Sequence, residues 1–508
     1  MFSKVLVANR GEIACRIIRT CRRMGIATVA AYSDADASAL HVRIADEAYR
    51  VGQAPAEQSY LKMEAIVEAA LKSGADAVHP GYGFLSQNAA FARLCHENGL
   101  VFIGPRPEVL EMMKDKVEAR RLAQEAGLPL IPGTTTTVSD DEALAEADAL
   151  GFPVMVKAAQ GGGGIGITLV SGPQRLKGVL ARARRLARAA FGNGELYLEQ
   201  YVDGAAHVEV QVVGDDYGNI LHLYERECSV QRRNQKVVEE APSKKLSSRR
   251  RTALLEAAVA LCRHIGYSGV GTVEFLLDRK GRFYFMEMNT RLQVEHGITE
   301  LITGLDMVEL QIRASAGEHL ALTQKRVYVR GHAVEARVYA EDPETFLPSA
   351  GVVQDLAVPH GKSIRVDTAL YKGCEITTYY DPLVAKVMAW SRTRRGSINR
   401  LGKALESFKI EGVKTNLETL KAVLVSRGFR SGTYDTQFLS KLIPRLKRRG
   451  QVLAGLEAPG VHERDVAAVV ALALAMGTPS GGREGVSPWK TQGRYAQMTS
   501  RMQSWRRM

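Results

Sequence analysis

The sequence predicts a multidomain protein of α/β and α+β character, and three observations support this fold class. The chain has 508 residues, which is enough for about three domains of ordinary size. Its N-terminal part alternates short apolar strands with helices, as in a doubly wound parallel sheet. From about residue 150 onward, pairs of apolar strands separated by turns dominate instead, which is typical of antiparallel hairpins.

Composition excludes several classes of protein. Apolar residues make up 45% and charged residues 24%, so neither wholesale disorder nor a fibrous repeat fits. The net charge of +13 suits a nucleic-acid binder, but it equally suits a protein that handles small anions. The arginine-rich stretches at 182–188 and 249–251 lack interleaved aromatic residues, so we interpret them as solvated faces. Nucleic-acid binding is therefore the weaker alternative.

Cysteine usage and apolar runs indicate the compartment. The six cysteines show no C-x-x-C spacing, so we expect neither a zinc site nor a disulfide framework, and a reducing cytoplasm is the natural location. The apolar run at the N-terminus is broken by a charged turn after about eight residues, unlike a signal peptide. The run at 466–476 is about half the length of a membrane span. We predict no membrane span.

The first domain is predicted to cover residues 1–114. Residues 4–8 form an apolar strand, and Ile13, Ile17 and Ile18 then recur at helical spacing. Further strands are expected at 27–32 and 77–79, with a helix at 61–73 between them. The first turn lacks G-x-G-x-x-G, so we reject a dinucleotide-dependent dehydrogenase.

A second region is predicted over residues 115–330. A helix at 116–126 leads to a strand at 154–157, and a glycine run at 161–164 then connects to a strand at 167–170. Because these glycines join two strands rather than open a helix, they are not a Walker A motif. Later strands are expected at 207–213, at 220–225, and at 270–277 paired with 283–288.

The third region is predicted over residues 331–450. It contains several short strands and a helix at about 399–407, and it ends in the basic segment 445–450. The remainder, 451–508, contains a stretch rich in glycine, serine and proline around 477–487, which is typical of a linker.

The glycine run and Lys157 are the first candidates for chemistry. Consecutive glycines are tolerated where backbone N–H groups closely approach a phosphate, although a loose surface hairpin is about equally compatible. Lys157, at the end of the preceding strand, favours the phosphate interpretation because it offers a point charge. The alternative for Lys157 is an ordinary solvated lysine.

A second candidate site follows the predicted hairpin at 270–288. Glu287 and Asn289 lie two residues apart on one strand and so share a face, and Glu274 lies on the paired strand. Such oxygen ligands suit Mg²⁺ on nucleotide phosphates, whereas a solvated acidic face is the alternative. Arg291, Gln293, Glu295 and His296 follow within ten residues, which favours a functional site.

The segment 287–296, EMNTRLQVEH, resembles the signature of biotin carboxylase, the ATP-grasp component of biotin-dependent carboxylases of the acyl-CoA or pyruvate type. Similar stretches lie at 5–19, 79–86, 157–166, 225–242, 331–348 and 380–382, so the resemblance covers residues 1 to about 445. It implies an N-terminal α/β domain, a central ATP-grasp domain with a mobile glycine-rich lid at about 133–203, and a biotin carboxylase C-terminal domain.

The resemblance also implies a set of site residues. The ATP site would comprise Lys116, Lys157, Gly161, Gly162, Gly163, Gly164, Glu199, Gln200, Tyr201, Val202, His207, Gln231, Asn234, Glu274 and Glu287, with the backbone of 199–202 facing adenine. Two Mg²⁺ or Mn²⁺ ions would bind Glu274, Glu287 and Asn289. Bicarbonate would bind Lys236, Arg291, Gln293, Val294 and Glu295, and biotin would face Arg337 and Tyr82.

The implied chemistry explains these residue types. Bicarbonate is a weak nucleophile, so Glu295 would accept its proton while Arg291 orients the anion for attack on the γ-phosphate. The metal ions and Lys236 would neutralise the transferring phosphoryl group, and carboxyphosphate would form. Arg337 would then stabilise the enolate-like oxygen of biotin before carboxylation.

Some positions depart from the usual family pattern. Ile165 and Ile167 replace an Arg or Lys and a Met, Asn234 replaces a frequent His, Gln87 a frequent Glu and Gly297 a frequent Pro. None removes a core catalytic group, so we expect activity, with nucleotide affinity most affected. The alternatives are another ATP-grasp ligase and a catalytically silent assembly subunit.

Partners follow from what the sequence lacks. No Met-Lys-Met occurs in the chain, so the resemblance implies that biotin is supplied on a separate biotin carboxyl carrier protein and passed to a carboxyltransferase subunit. We expect a homodimer within a larger complex and interpret 451–508 as a segment that docks a partner subunit. The acceptor, whether an acyl-CoA or pyruvate, is not indicated.

Overall fold

The computed structural model describes residues 1–160 and 167–448. The candidate ATP-binding glycines Gly161, Gly162, Gly163 and Gly164, the substituted position Ile165, and the predicted docking segment 451–508 lie outside the described residues.

A parallel sheet forms the N-terminal part. Its strands follow the order β3-β2-β1-β4-β5 and every neighbouring pair is parallel, which confirms the doubly wound prediction. Ile13, Ile17 and Ile18 are fully buried on the sheet-facing side of the first helix, as their spacing predicted. The elements are β1 (Lys4–Val7), α1 (Gly11–Arg23), β2 (Ala27–Ser33), α2 (Leu40–Ile44), β3 (Glu47–Gly52), α3 (Met63–Ser73), β4 (Ala77–His79), α4 (Ala89–Glu97), β5 (Val101–Phe102) and α5 (Pro107–Lys114).

A small α/β unit follows. Its elements are α6 (Lys116–Glu125), α7 (Asp140–Leu150), β6 (Val154–Ala158), β7 (Thr168–Val170), α8 (Pro173–Phe191) and β8 (Leu196–Gln200). Strand β6 pairs antiparallel with both β7 and β8, and α7 and α8 cover the sheet with a separate apolar core. The glycine run therefore connects two antiparallel strands, which confirms the hairpin prediction.

The largest sheet carries most of the candidate site residues. Its order is β13-β12-β9-β10-β11-β14-β19-β17, with every neighbouring pair antiparallel. The sheet continues past residue 330, because β14, β19 and β17 extend the layer begun by β9 to β13. The elements are β9 (Ala206–Gly214), β10 (Ile220–Arg232), β11 (Gln235–Ala241), α9 (Ser248–His264), β12 (Gly269–Leu277), β13 (Phe283–Asn289), α10 (His296–Thr303), α11 (Met307–Ser315), β14 (His332–Tyr339), β15 (Gly351–Val352), β16 (Asp355–Ala357), β17 (Ile364–Thr368), β18 (Glu375–Ile376), β19 (Leu383–Ser391), α12 (Arg394–Ser407), β20 (Lys409–Glu411), α13 (Leu417–Val425), α14 (Arg427–Ser431) and α15 (Phe438–Arg448).

Two elements differ from the sequence-based prediction. Strand β10 was expected to end at residue 225, yet it continues to Arg232. The added part is mostly charged and polar, and it remains in the sheet because neighbouring strands satisfy it, as Glu209 does for Arg226. Helix α12 begins at Arg394, five residues before the expected start, where the Thr393 side chain accepts from the backbone N–H of Gly396.

Two further predictions concern the cysteines and membrane-spanning helices. All six cysteines are buried and unpaired, and Cys228 is packed within the large sheet. In residues 1–160 and 167–448, no helix is both long enough and apolar enough to cross a bilayer.

Candidate active site

Strand register brings two of the candidate metal ligands into one row with two further charged residues. Glu287 on β13 lies opposite Glu274 on β12, and Glu274 lies opposite Glu209 on β9. Glu209 in turn lies opposite Arg226 on β10. Adjacent strands thus place three carboxylates and a guanidinium side by side across the sheet.

Lys236 connects this row to the segment after β13. Its ammonium donates to Glu209, to Glu274 Oε1 at 3.0 Å and to Glu295 Oε1 at 2.6 Å. Burial alone would lower the pKa of Lys236, but the three carboxylates outweigh burial and raise it well above its usual range. Lys236 is therefore a fixed positive charge at the centre of the candidate site.

Glu295 lies between two cations. Besides Lys236, Arg337 Nη2 donates to Glu295 Oε2 at 2.7 Å, while Arg337 Nε lies 2.5 Å from Glu239 Oε1. Burial would raise the pKa of Glu295, yet Lys236, Arg337 and Arg226 hold it well below its usual range. The carboxylate is consequently ionised, which is the protonation state that a general base requires.

Arg291 is held in place by three polar side chains. Its guanidinium donates to Gln87 Oε1 at 2.7 Å, to Gln293 Oε1 at 3.0 Å and to Asn289 Oδ1 at 3.0 Å. The substituted residue Gln87 is thus a neutral partner that orients Arg291 without neutralising its charge. Burial lowers the pKa of Arg291 from its ordinary value, although the nearby glutamates oppose this shift.

The candidate metal ligands are brought together. Asn289 Nδ2 and Gln293 Nε2 donate to the same Glu274 oxygen at 2.8 and 3.0 Å, and Glu287 lies 3.6 Å from the ammonium of Lys116. Two carboxylates and an amide on paired strands form an oxygen-rich donor set of the type that Mg²⁺ prefers. The residues therefore fit the expected ion.

The candidate ATP residues divide into two groups. His207 Nε2 lies 2.9 Å from Glu274 Oε2, and its Nδ1 lies 2.5 Å from Gln231 Nε2, so both residues adjoin the carboxylate row. Burial would lower the pKa of His207, but Glu274 raises it above its ordinary value. Asn234, in contrast, lies exposed at the tip of the β10–β11 hairpin with φ 64°.

Lys157 and the stretch 199–202 form the second group, at the small α/β unit. The Lys157 ammonium donates to Glu199, whose other oxygen accepts from Arg120 at 2.5 Å. The backbone N–H groups of Gln200 and Tyr201 donate to the carbonyls of Pro132 and Pro153. These two backbone N–H groups are therefore already engaged within the protein.

Tyr82 and Val294 are tied to residues that the sequence did not single out. The Tyr82 hydroxyl donates to Glu12. The Val294 carbonyl accepts from Lys386 at 2.8 Å. The substituted residue Gly297 lies against Met388, because a Cβ atom there would come within 2.3 Å of the Met388 sulfur.

Several charged residues of the site were missed by sequence reasoning: Glu12, Arg120, Glu209, Arg226, Glu239, Glu335 and Lys386. One signal existed, because His207, Glu209 and Gln211 alternate with valines along β9 and so share a face. The others become interpretable only through partners on neighbouring strands.

Comparisons with known proteins cover most of the chain. Family models described as "Biotin carboxylase, N-terminal domain", "Carbamoyl-phosphate synthase L chain, ATP binding domain" and "Biotin carboxylase C-terminal domain" match residues 1–110, 115–323 and 335–441. The chain is 49% identical over 441 residues to a biotin carboxylase of Halalkalibacterium halodurans, covering 87% of this chain and 98% of that protein.

Two further similarities extend the match. The chain is 44% identical over 495 residues to a pyruvate carboxylase subunit of Methanothermobacter thermautotrophicus, covering 96% of this chain and 100% of that one. Its fold matches the biotin carboxylase domain of the 2-oxoglutarate carboxylase of Hydrogenobacter thermophilus, a dimer in complex with MgADP, ADP and bicarbonate. That match has a TM-score of 0.86 and 45% identity, and it covers 90% of this chain and 100% of that one.

Proposed function

Because the chain belongs to the biotin carboxylase family, whose reaction is the ATP-dependent carboxylation of biotin, we propose that the cluster around Lys236 is its active site. The observation that carries this assignment is the position of Glu295, which is fully buried and held at 2.6 and 2.7 Å by Lys236 and Arg337. An ionised base enclosed by cations is the arrangement that activates and retains a small acidic anion.

Glu295 accepts the proton of bicarbonate. Its pKa is held low by Lys236 and Arg337, so alone it is a weak base. A bicarbonate anion bound between Arg291 and Lys236 shares Lys236 with Glu295 and so increases the basicity of Glu295 when the substrate is in place. The deprotonated oxygen of bicarbonate then attacks the γ-phosphate, and carboxyphosphate and ADP form.

Orientation of bicarbonate falls to Arg291, Gln293 and the backbone of Val294. Arg291 is partly buried, positively charged and fixed by Gln87, Asn289 and Gln293, so little conformational freedom remains to be lost when the anion binds. Lys236 stabilises the charge that gathers on the transferring phosphoryl group.

Glu274, Glu287 and Asn289 are the residues that would hold two Mg²⁺ or Mn²⁺ ions. Bound there, the ions neutralise charge on the ATP phosphates. In the present arrangement Lys236 and Lys116 adjoin these two carboxylates, so the site already balances its negative charge with lysines.

ATP lies between the carboxylate row and the small α/β unit. Lys116 and Lys157, together with the glycines at 161–164, bind phosphate oxygens, and the backbone of 199–202 contacts adenine. His207, Gln231 and Asn234 complete the site, and Asn234 contributes an amide at the open end of the hairpin. When ATP binds, the Lys157 ammonium leaves Glu199 and contacts a phosphate oxygen instead.

Biotin approaches Arg337 from the side of Tyr82. Arg337 stabilises the negative oxygen of the biotin ureido group when its nitrogen is deprotonated, and CO₂ released from carboxyphosphate then becomes bound to that nitrogen. The phosphate that forms together with CO₂ is the base in this step. It takes the proton from the biotin nitrogen before that nitrogen attacks CO₂.

The organisation of the chain is part of the proposal. Residues 1–114, 115–330 with a lid at about 133–203, and 331–450 form the three domains, and 451–508 docks a partner subunit. Biotin is carried by a separate biotin carboxyl carrier protein, a carboxyltransferase subunit takes the product, and the protein acts as a homodimer within that complex. Six buried, unpaired cysteines support a cytoplasmic location.

ADP release by the purified protein tests the assignment. We expect turnover of MgATP that depends on bicarbonate and is stimulated by free biotin, and we expect Arg337→Ala to lose the biotin stimulation. The exposed Arg249 provides the matched control, and Arg249→Ala should behave as wild type.

Two results would contradict the proposal. ATP binding without bicarbonate-dependent turnover would favour a silent assembly subunit. Turnover that another acid supports and bicarbonate does not would favour a different ATP-grasp ligase.

A further inference from the structure

Lys386 is a buried charge that the reaction described above does not use. It lies on β19 opposite Arg337, and its side chain is fully inaccessible to solvent. Its ammonium donates to the Val294 carbonyl at 2.8 Å and lies 3.0 Å from Glu12 Oε1. Asp367, opposite it on β17, is more distant at 3.6 Å.

Charge balance alone does not account for this arrangement. Asp367 already has a partner, because Arg365 donates to its two oxygens at 2.9 and 2.7 Å. The closest contact of the Lys386 ammonium is instead a main-chain carbonyl, and a hydrogen bond from a charged donor is among the strong ones. Burial would lower the pKa of Lys386, but Glu12 and Asp367 raise it, so the group stays charged.

The carbonyl that Lys386 holds lies inside the bicarbonate segment. Val294 is flanked by Gln293, whose amide is bound to Glu274 and Arg291, and by Glu295, the base. The Val294 carbonyl belongs to the peptide that leads to Glu295, so fixing it restricts the direction in which the Glu295 side chain leaves the backbone. A shift of about 1 Å at such a position is enough to cost about a hundredfold in rate.

Glu12 extends the same contact toward biotin. Its Oε1 accepts from the Tyr82 hydroxyl and lies beside the Lys386 ammonium. One buried cation thus adjoins both the backbone of the bicarbonate segment and, through Glu12, the tyrosine assigned to biotin.

We propose that Lys386 is a positioning residue for bicarbonate, acting through the Val294 carbonyl, and that Glu12 is a positioning residue for biotin, acting through Tyr82. This inference rests on the proposed function of the same site. It adds two residues that act through other residues. Lys386 is assigned to bicarbonate and Glu12 to biotin.

Kinetic constants for each substrate test the proposal in the full-length protein. We expect Lys386→Met to raise the KM for bicarbonate about tenfold or more, the loss typical of one hydrogen bond from a charged group, with the KM for MgATP within about twofold of wild type. We expect Glu12→Gln to raise the KM for free biotin several-fold with little effect on bicarbonate.

Two further variants separate positioning from stability. In the single variant Lys386→Met, the Glu12 carboxylate is left without its lysine. The double variant Lys386→Met with Glu12→Gln removes that carboxylate, so it should be more thermally stable than the single variant while keeping the raised KM for bicarbonate. Lys245 is the matched control, because it also lies beside a glutamate, Glu227, and donates to a main-chain carbonyl, that of Tyr434, away from the site. Lys245→Met should lower stability and leave all three KM values unchanged.

The outcomes are distinguishable. An unchanged bicarbonate KM in Lys386→Met, equal changes in all three KM values, or recovery of the bicarbonate KM in the double variant would each overturn the positioning role. Absence of bicarbonate-dependent turnover in the wild type would instead overturn the proposed function itself.

Discussion

Glu335 is expected to be a neutral carboxylic acid in the folded protein. It is fully buried on β14, and among the described residues neither of its carboxyl oxygens has a hydrogen-bond partner. The charged groups around it are Glu239, directly opposite on β11, with Glu295, Arg337 and Lys386. Burial raises the pKa of Glu335 well above its usual range, Glu239 raises it further, and the two cations only partly offset this.

Replacing Glu335 by glutamine removes a proton that folding otherwise has to bind. A carboxyl whose pKa is raised in the folded state contributes stability at low pH and loses it as pH rises above the unfolded-state pKa. One such proton gives a slope of about 1.4 kcal/mol per pH unit. Between pH 6 and pH 8, the free energy of unfolding of Glu335→Gln should therefore gain up to about 2.7 kcal/mol relative to wild type.

Thermal and urea unfolding of both proteins at pH 6, 7 and 8 measure this difference, and groups that do not interact with Glu335 cancel. Glu375→Gln is the matched control, since Glu375 is exposed on β18, and its difference from wild type should not vary with pH. Infrared spectra provide an independent readout, because a protonated glutamate has a carboxylic acid carbonyl band that the variant lacks. Parallel pH curves for wild type and Glu335→Gln would refute the reasoning.

Three other predictions concern charge, packing and metal. Arg226→Met should lower the free energy of unfolding by about 3–5 kcal/mol, since it leaves the buried Glu209 without its guanidinium; an unchanged melting temperature would argue against this. Leu401→Ala, in the core between α12 and the sheet, should cost about 2–5 kcal/mol yet leave the turnover of folded protein intact, and a matching loss of turnover would show that the core does more than support the site. EDTA should abolish ATP turnover and Mg²⁺ restore it, with Glu287→Gln needing more Mg²⁺ than wild type; equal Mg²⁺ requirements would exclude Glu287 as a ligand.

Local patterns were enough to predict much of the fold. The parallel sheet followed from strands and helices whose apolar residues repeat at their own periods, and the hairpin of β12 and β13 followed from the turn at 278–281. The C-terminal half of β10 could not be predicted this way. Its buried residues include Arg226 and Glu227, and hydrophobic periodicity does not detect a strand whose interior is charged.

The candidate site was likewise only partly predictable from the sequence. The segment from Glu287 to Glu295 concentrates its chemistry in nine residues and was accessible from the sequence. Glu239 and Glu335 were not, because neither has a distinctive local pattern and each acquires meaning from the residue opposite it on another strand. In the sequence, Lys386 is only a lysine within an apolar strand. Its importance becomes evident in the structure, where β14 and β17 place Arg337 and Asp367 beside it.

This arrangement has an energetic consequence for the site as a whole. Several buried charges have their counter-charge on a neighbouring strand, as Arg226 has in Glu209, so the sheet must be assembled before these charges are compensated. The same assembly fixes the charges around Glu295 before substrate binds, which is the condition for electrostatic catalysis without reorganisation. Glu335 is one of the groups whose charge acts on Arg337, so a protonated Glu335 leaves the pairing of Arg337 with Glu239 and Glu295 undisturbed. Because Glu335 stays protonated in the folded protein between pH 6 and pH 8, Glu335→Gln should change the pH dependence of stability and leave that of biotin stimulation as in wild type; a change in both would show that Glu335 titrates in the folded protein.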